Sequence, residues 1–123
     1  YVLGTNTLGT GDTQPADCSA LAAGLTRDKC EWSNALKGAA ETNSGGTNVG
    51  GMIGALGCIT LVQAEDATAG VCKPGIYLVS VSWQGLSPTS TPSATCGQGT
   101  YGGDDRLRRT ISARVSVGLP SCQ

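Results

Sequence analysis

The chain has no histidine, no phenylalanine and a single methionine among 123 residues. Without histidine, neither a Ser-His-Asp triad nor a Cys-His dyad can be assembled. With only Trp32, Trp83 and three tyrosines, the large side chains that usually fill a core are scarce. Charge is sparse too. Eight Lys and Arg against nine Asp and Glu leave a net charge of −1, too little for a field that draws nucleic acid or an acidic membrane surface. No apolar run approaches the ~20 residues needed to span a bilayer, and no secretory leader is visible. No two cysteines are spaced as a CxxC pair, so the close ligand pairs of a zinc site are missing. Neither a metal nor a cofactor is expected, and the chain reads as a non-enzyme.

What the chain has instead is glycine, hydroxyl groups and cysteine. Nineteen glycines and many Ser and Thr add chain entropy and little burial. The six cysteines, Cys18, Cys30, Cys58, Cys72, Cys96 and Cys122, are even in number and spread along the chain. Three disulfides in an oxidising compartment are the natural reading, and they offset a thin core. An oxidised domain has been exported, so a removed signal or a longer precursor is expected upstream. The length suits one domain over 1–123.

Residues 1–15 are Gly/Thr-rich and read as an extended lead-in. The region 16–41 has helical spacing, weakened at Gly24, with a second segment Asp28–Gly38 that Thr26 or Asp28 would cap. Asn43–Gly51 reads as a flexible loop. Strands and loops fill 51–119. The strand candidates are Ile53–Val62, Ile76–Gln84 and Leu107–Leu119. In the last, Leu107, Ile111, Ala113, Val115, Val117 and Leu119 alternate with polar residues. The expected fold class is α+β: a helical segment packed on one face of an antiparallel sheet.

This organisation bears on the cysteines. Cys18 and Cys30 are twelve residues apart, about 18 Å along a straight helix, so pairing them needs a turn near Gly24. Cys58 and Cys72 flank the join of the first two strands, where a cross-linked hairpin fits. Cys96 and Cys122 then remain, and their bond would tie the Ser87–Gly103 loop to the chain end.

Candidate chemistry is thin. The acid pairs Glu65-Asp66 and Asp104-Asp105 sit in Gly-flanked loops and read first as surface charge. Arg106, Arg108 and Arg114 share the polar face of the last strand. As a phosphate-binding stripe they lack interleaved aromatics, and nucleic acid is not the expected partner. Gly97, Gly99, Gly102 and Gly103 precede a strand rather than a helix, so they permit turns rather than cradle phosphate. Tyr77 and Trp83 lie on one strand face and read as core beneath the helix with Trp32.

Three landmarks, in order, resemble a known family. Asp28-Lys-Cys-Glu-Trp32-Ser-Asn-Ala-Leu36 is similar to the Asp-x-x-x-Trp-x-x-x-Leu helix of the type IV pilus minor pilin PilV family. Val79-Ser-Val-Ser-Trp83 resembles its strand ending in Val-x-Trp, and Cys96-Gly…Tyr101-Gly…Arg108-Arg109 its C-terminal signature. The resemblance implies a type IV pilin-like headgroup. Such proteins carry a long hydrophobic N-terminal helix that anchors them in the inner membrane, and its outer half lies against a four-stranded antiparallel sheet. The family's Pro-Gly loop after the Trp helix is replaced here by Thr42–Gly51. A fourth strand is expected from Val2–Leu8 or Leu86–Thr95.

On this reading the chain is the soluble headgroup of a minor pilin whose full-length form is membrane-anchored. It would sit on the periplasmic side of the inner membrane and at the pilus tip. Its implied partners are other minor pilins, the major pilin and a tip adhesin. The interface candidates are Ser87, Thr89, Thr91, Gln98, Tyr101, Asp104, Asp105, Arg108 and Arg114. Two alternatives stand beside it: a pilin-like module binding DNA or a surface, and a secreted disulfide-rich inhibitor.

Overall fold

Alternation after Gly75 and after Arg108 produces the two longest strands of a four-stranded antiparallel sheet of order β1-β2-β3-β4. The structure, a computed structural model, describes residues 1–4, 6–38, 52–102 and 105–119. The elements are β1 (Leu8–Gly9), α1 (Leu25–Leu36), β2 (Leu56–Gln63), β3 (Gly75–Gln84) and β4 (Arg108–Val117). The α+β expectation is met: one helix packs on an antiparallel sheet. The Asn43–Gly51 loop and residues 39–41 of the helical region lie outside the described residues.

The helix is shorter than the 16–41 region read as helical and begins earlier than Asp28. Gly24 is its N-cap, at φ 118°, and makes no side-chain capping bond. That left-handed geometry suits glycine. Thr26 and Asp28 therefore fall inside the first turn, where Asp28 complements the helix dipole. The turn at Gly24 brings Cys18 back to Cys30, and the two are bonded with Cα atoms 5.8 Å apart. At the other end the Gly38 N–H donates to the Ala35 carbonyl and the Lys37 N–H to that of Ser33, closing the helix.

The lead-in is not featureless. It runs along the edge of β2, with Leu8 opposite Gly57 and the Leu3 N–H donating to the Ile59 carbonyl at 3.0 Å. The fourth strand thus falls at the end of the first expected segment, as two residues only. Asp12 then fixes the loop onto α1. Its carboxylate accepts from the Gly9 and Gln14 N–H groups, the Ser33 hydroxyl and the Lys37 ammonium. Burial pushes this carboxyl up, but those four donors outweigh it and hold it at about 2.

The first strand starts at Leu56 rather than Ile53, and a bulge interrupts its pairing with β3 between Leu61 and Gln63. The core cluster is Leu3, Leu8, Leu36 and Ala55, with Trp32, Ile59 and Val81 packed against it. Burying a Leu-sized side chain contributes about 1.5–3 kcal/mol. Gly57 makes this packing feasible, since a Cβ there would stand 2.7 Å from the Trp32 ring and 2.8 Å from Leu36 Cδ1. Tyr77 and Trp83, expected as core beneath the helix, are half-buried and stand outside that cluster.

Two disulfide expectations are corrected. Cys58 is bonded to Cys96, not to Cys72, and Cys96 is therefore not bonded to Cys122. The register gives the reason. Cys58 lies opposite Ser80, inside the ladder. The strand runs five more residues to Gln63 before the hairpin turns, about 16 Å at ~3.3 Å per residue. A bridge spans at most about 7 Å between Cα atoms. Cys72 is itself disulfide-bonded. Disulfides fit an oxidising, extracytoplasmic compartment. Among the described residues no helix is long and apolar enough to cross a membrane.

Candidate interaction surfaces

The sheet has two faces of different character, set by the alternation of β3 and β4. Odd-numbered residues, with Ile59 and Gly57 of β2, lie on the side of the sheet that carries α1. Even-numbered residues, with Cys58 and Thr60, face a long connection between β3 and β4. One buried side chain makes most of the polar contacts to that connection. Arg108, opposite Gln84 at the start of β4, is 1% exposed. Its Nε and Nη2 donate to the two carboxylate oxygens of Asp105, each at 2.8 Å. Its Nη1 donates to the carbonyls of Ala94 and Cys96, and Nη2 also reaches that of Pro92. All five N–H donors of a guanidinium are thereby used. The hydrogen bonds from Arg108 hold the Asp105 carboxyl below its ordinary range.

Two further contacts pin the same loop to the sheet. Cys96 is bonded to Cys58. Tyr101, buried, shares a 3.0 Å hydrogen bond with the Ser82 hydroxyl and donates to the Gly54 carbonyl at 2.8 Å. Burial pushes the Tyr101 phenol up, opposed by the Ser82 hydrogen bond and the Arg108 charge. Beneath them, Ser80 and Ser112 are bonded across the strands at 2.8 Å.

The sequence-derived interface residues therefore divide. Ser87, Thr89, Thr91, Gln98 and Arg114 are exposed. The Ser87 carbonyl accepts from Arg109, and the Thr89 N–H donates to the Arg106 carbonyl, which shapes the start of the loop. Tyr101 and Arg108 are corrected to internal braces, because their polar atoms are spent inside the chain. Asp105 is half-buried and committed to Arg108. Asp104 lies outside the described residues. The burial of Arg108 also removes it from the expected stripe with Arg106 and Arg114. Of the acid pairs, Asp66 accepts the Thr68 N–H and Asp105 holds Arg108. Among the described residues no cluster of three or more His, Cys, Asp or Glu is placed to hold a metal.

Two surfaces remain. The first is apolar and lies on the helix side of the sheet. Ile111 is 65% exposed, Val115 44%, Val117 48% and, on β2, Leu61 48%. Ile111, Ala113 and Val115 lie opposite Val81, Val79 and Tyr77 of β3, so the stripe widens into a patch. A helix is only about 10 Å wide, whereas strands stand about 4.8 Å apart, so α1 covers β1 and β2 and leaves β4 bare. Alternation showed that these residues share a face, but not that the helix would sit at the far edge. Tyr1 borders the same side, at a hollow of about 210 Å3 with Trp32, Ile59 and Val79.

The second surface is a cleft of about 710 Å3 on the even-numbered face, between Thr60 and Leu78 on the sheet, the Ser93–Gln98 segment and the lead-in at Asn6 and Thr7. Of the interface candidates named from the sequence, Gln98 lines it, and Ser93, Ala94, Thr95 and Thr100 belong to the same two loops, Ser87–Thr95 and Gln98–Asp105, that the sequence points to as contact segments. The cleft exists because the Cys58–Cys96 bond and Arg108 draw a loop across a strand far away in sequence.

Comparison with protein-family models, curated proteins and solved structures finds no match for this chain.

Proposed function

We propose that this chain is the headgroup of a minor pilin of the PilV kind, and that it works by protein–protein docking in type IV pilus assembly rather than by chemistry. One observation carries the reading: the apolar face of β4 is uncovered. Ile111, Val115 and Val117 stand in water next to β3, while α1 lies on the other half of the sheet. A contiguous exposed apolar patch marks a contact surface. The resemblance supplies an occupant, the outer half of the long N-terminal helix that pilins lay against their sheet. Tyr1 lies on the same side of the sheet, against Trp32 of α1, Ile59 of β2 and Val79 of β3, so a segment preceding it would begin on that side.

In this reading the anchor helix supplies most of the association energy, and exposed loop residues such as Ser87, Thr89, Thr91 and Gln98 select partners among other minor pilins, the major pilin and a tip adhesin. The protein would act on the periplasmic side of the inner membrane and at the pilus tip.

The test joins a pilin anchor helix to Tyr1 and asks for co-purification with minor pilins and for pilus formation. Ile111→Asp with Val115→Asp should abolish both while the headgroup alone keeps its melting temperature. Unchanged assembly by that variant, or no pilin partner for the intact form, sinks the proposal.

A further inference from the structure

The cleft lies on the opposite face of the sheet from the apolar patch, shares only Gln98 with the residues assigned to docking, and differs from the patch in chemistry. We propose that it binds a neutral, hydroxyl-rich ligand, a short uncharged oligosaccharide. Its volume of about 710 Å3 falls within the ~300–1,000 Å3 of small-ligand sites.

The lining decides the class. Among the described residues that line it none carries a charge, since its two cysteines are bonded to each other. An ion entering it would lose hydration with no countercharge to replace it. Among the described lining residues an apolar ligand finds no aromatic ring and little wall beyond Leu78, Ala94 and the disulfide. Hydroxyl and amide groups are present on every side: Asn6 and Thr7 on the lead-in, Thr60 on the sheet, and Ser93, Gln98 and Thr100 on the loop. Each of these side chains both donates and accepts. So does each hydroxyl of a sugar, whose C–H faces match the small apolar floor. The Ser80 hydroxyl is already engaged by Ser112 and is not counted among the contacts.

The site is also preorganised. The loop wall is bonded to the floor through Cys58–Cys96, and the Ala94 and Cys96 carbonyls are held by Arg108. A ligand therefore does not have to order that wall on binding. Gln98 and Thr100 are exposed at the rim, so they can be changed without disturbing the interior.

The experiment is an amide chemical-shift titration of the oxidised chain with maltotriose, cellotriose, chitotriose and mannotriose in turn. A heparin-derived oligosaccharide and an uncharged Ser/Thr-rich peptide serve as comparison arms. Saturable shifts at Thr60, Ser93, Gln98 and Thr100 with at least one neutral sugar are expected, at millimolar concentration or below. Gln98→Ala with Thr100→Val should weaken that binding by about tenfold or more, with an unchanged melting temperature. Absence of saturable shifts with all four sugars overturns the proposal. So does tighter binding of the sulfated sugar or the peptide, or undiminished binding by the double variant. The pilus assay is read through Ile111 and Val115 on the other face; Gln98 is the one named residue that the two proposals share, so a sugar-binding failure leaves the Ile111 and Val115 result standing.

Discussion

Arg108 grips Asp105 with both arms of its fork, Nε and Nη2 each 2.8 Å from a carboxylate oxygen, while its remaining donors hold the carbonyls of a loop that begins more than a dozen residues upstream. The pair sits at the foot of β4 and decides the shape of the even-numbered face. Exposed ion pairs contribute little. This guanidinium is buried, and removing it strands three carbonyls as well as its acidic partner.

Arg108→Met should cost about 3 kcal/mol in urea unfolding, the scale of breaking a buried charge network from one side. Arg108→Lys should recover only part of it, because an ammonium cannot reproduce the two-armed geometry. Finding Arg108→Met within about 0.5 kcal/mol of the parent would show the network to be dispensable.

The two described disulfides should differ in weight. In the chain-entropy account, a 38-residue closure at Cys58–Cys96 is worth about 4 kcal/mol and a 12-residue closure at Cys18–Cys30 about 3 kcal/mol. Paired Cys→Ser replacement at 58 and 96 should therefore lower the melting temperature more than replacement at 18 and 30. Peptide mapping without reduction should recover a Cys58–Cys96 linkage. A Cys58–Cys72 peptide in its place refutes the register.

Acid should loosen the lead-in before it unfolds the sheet. Asp12 is lowered from 3.8 to about 2 in the folded chain. Its stabilising effect is therefore complete above the unfolded value and is lost as pH falls from about 4 to 2. The displacement corresponds to about 2 kcal/mol. Asp12→Asn should lose stability at neutral pH and flatten the acid limb of the stability curve over that window. An unaltered acid limb means that the Lys37 and Ser33 bonds are not formed in solution.

Gly57→Ala should destabilise by about 1–3 kcal/mol, the range for overpacking, because the new methyl meets Trp32 and Leu36. Gly118→Ala serves as control, since among the described residues beyond its chain neighbours nothing lies within 4 Å of a Cβ placed there. Equal melting temperatures for the two variants would place α1 away from β2.

Local pattern carried the strands well. The period-two run after Leu107 showed which residues share a face, because alternation is a property of the extended backbone itself. The break at Gly24 was equally local, and it was enough to show that Cys18 and Cys30 need a turn there. The lead-in was not legible, since Asp12 acquires its meaning only from Ser33 and Lys37, more than twenty residues away.

By itself the amino-acid sequence determined the fold class, the strand faces and the oxidised character of the chain. Composition, periodicity and cysteine parity are summed or local quantities. Only the tertiary structure decided that Cys58 pairs with Cys96, that Arg108 and Tyr101 are braces rather than contacts, and that the helix leaves β4 bare. Those outcomes depend on strand register and on where one narrow helix settles on a wider sheet. Both are fixed by long-range packing that no short window of residues contains.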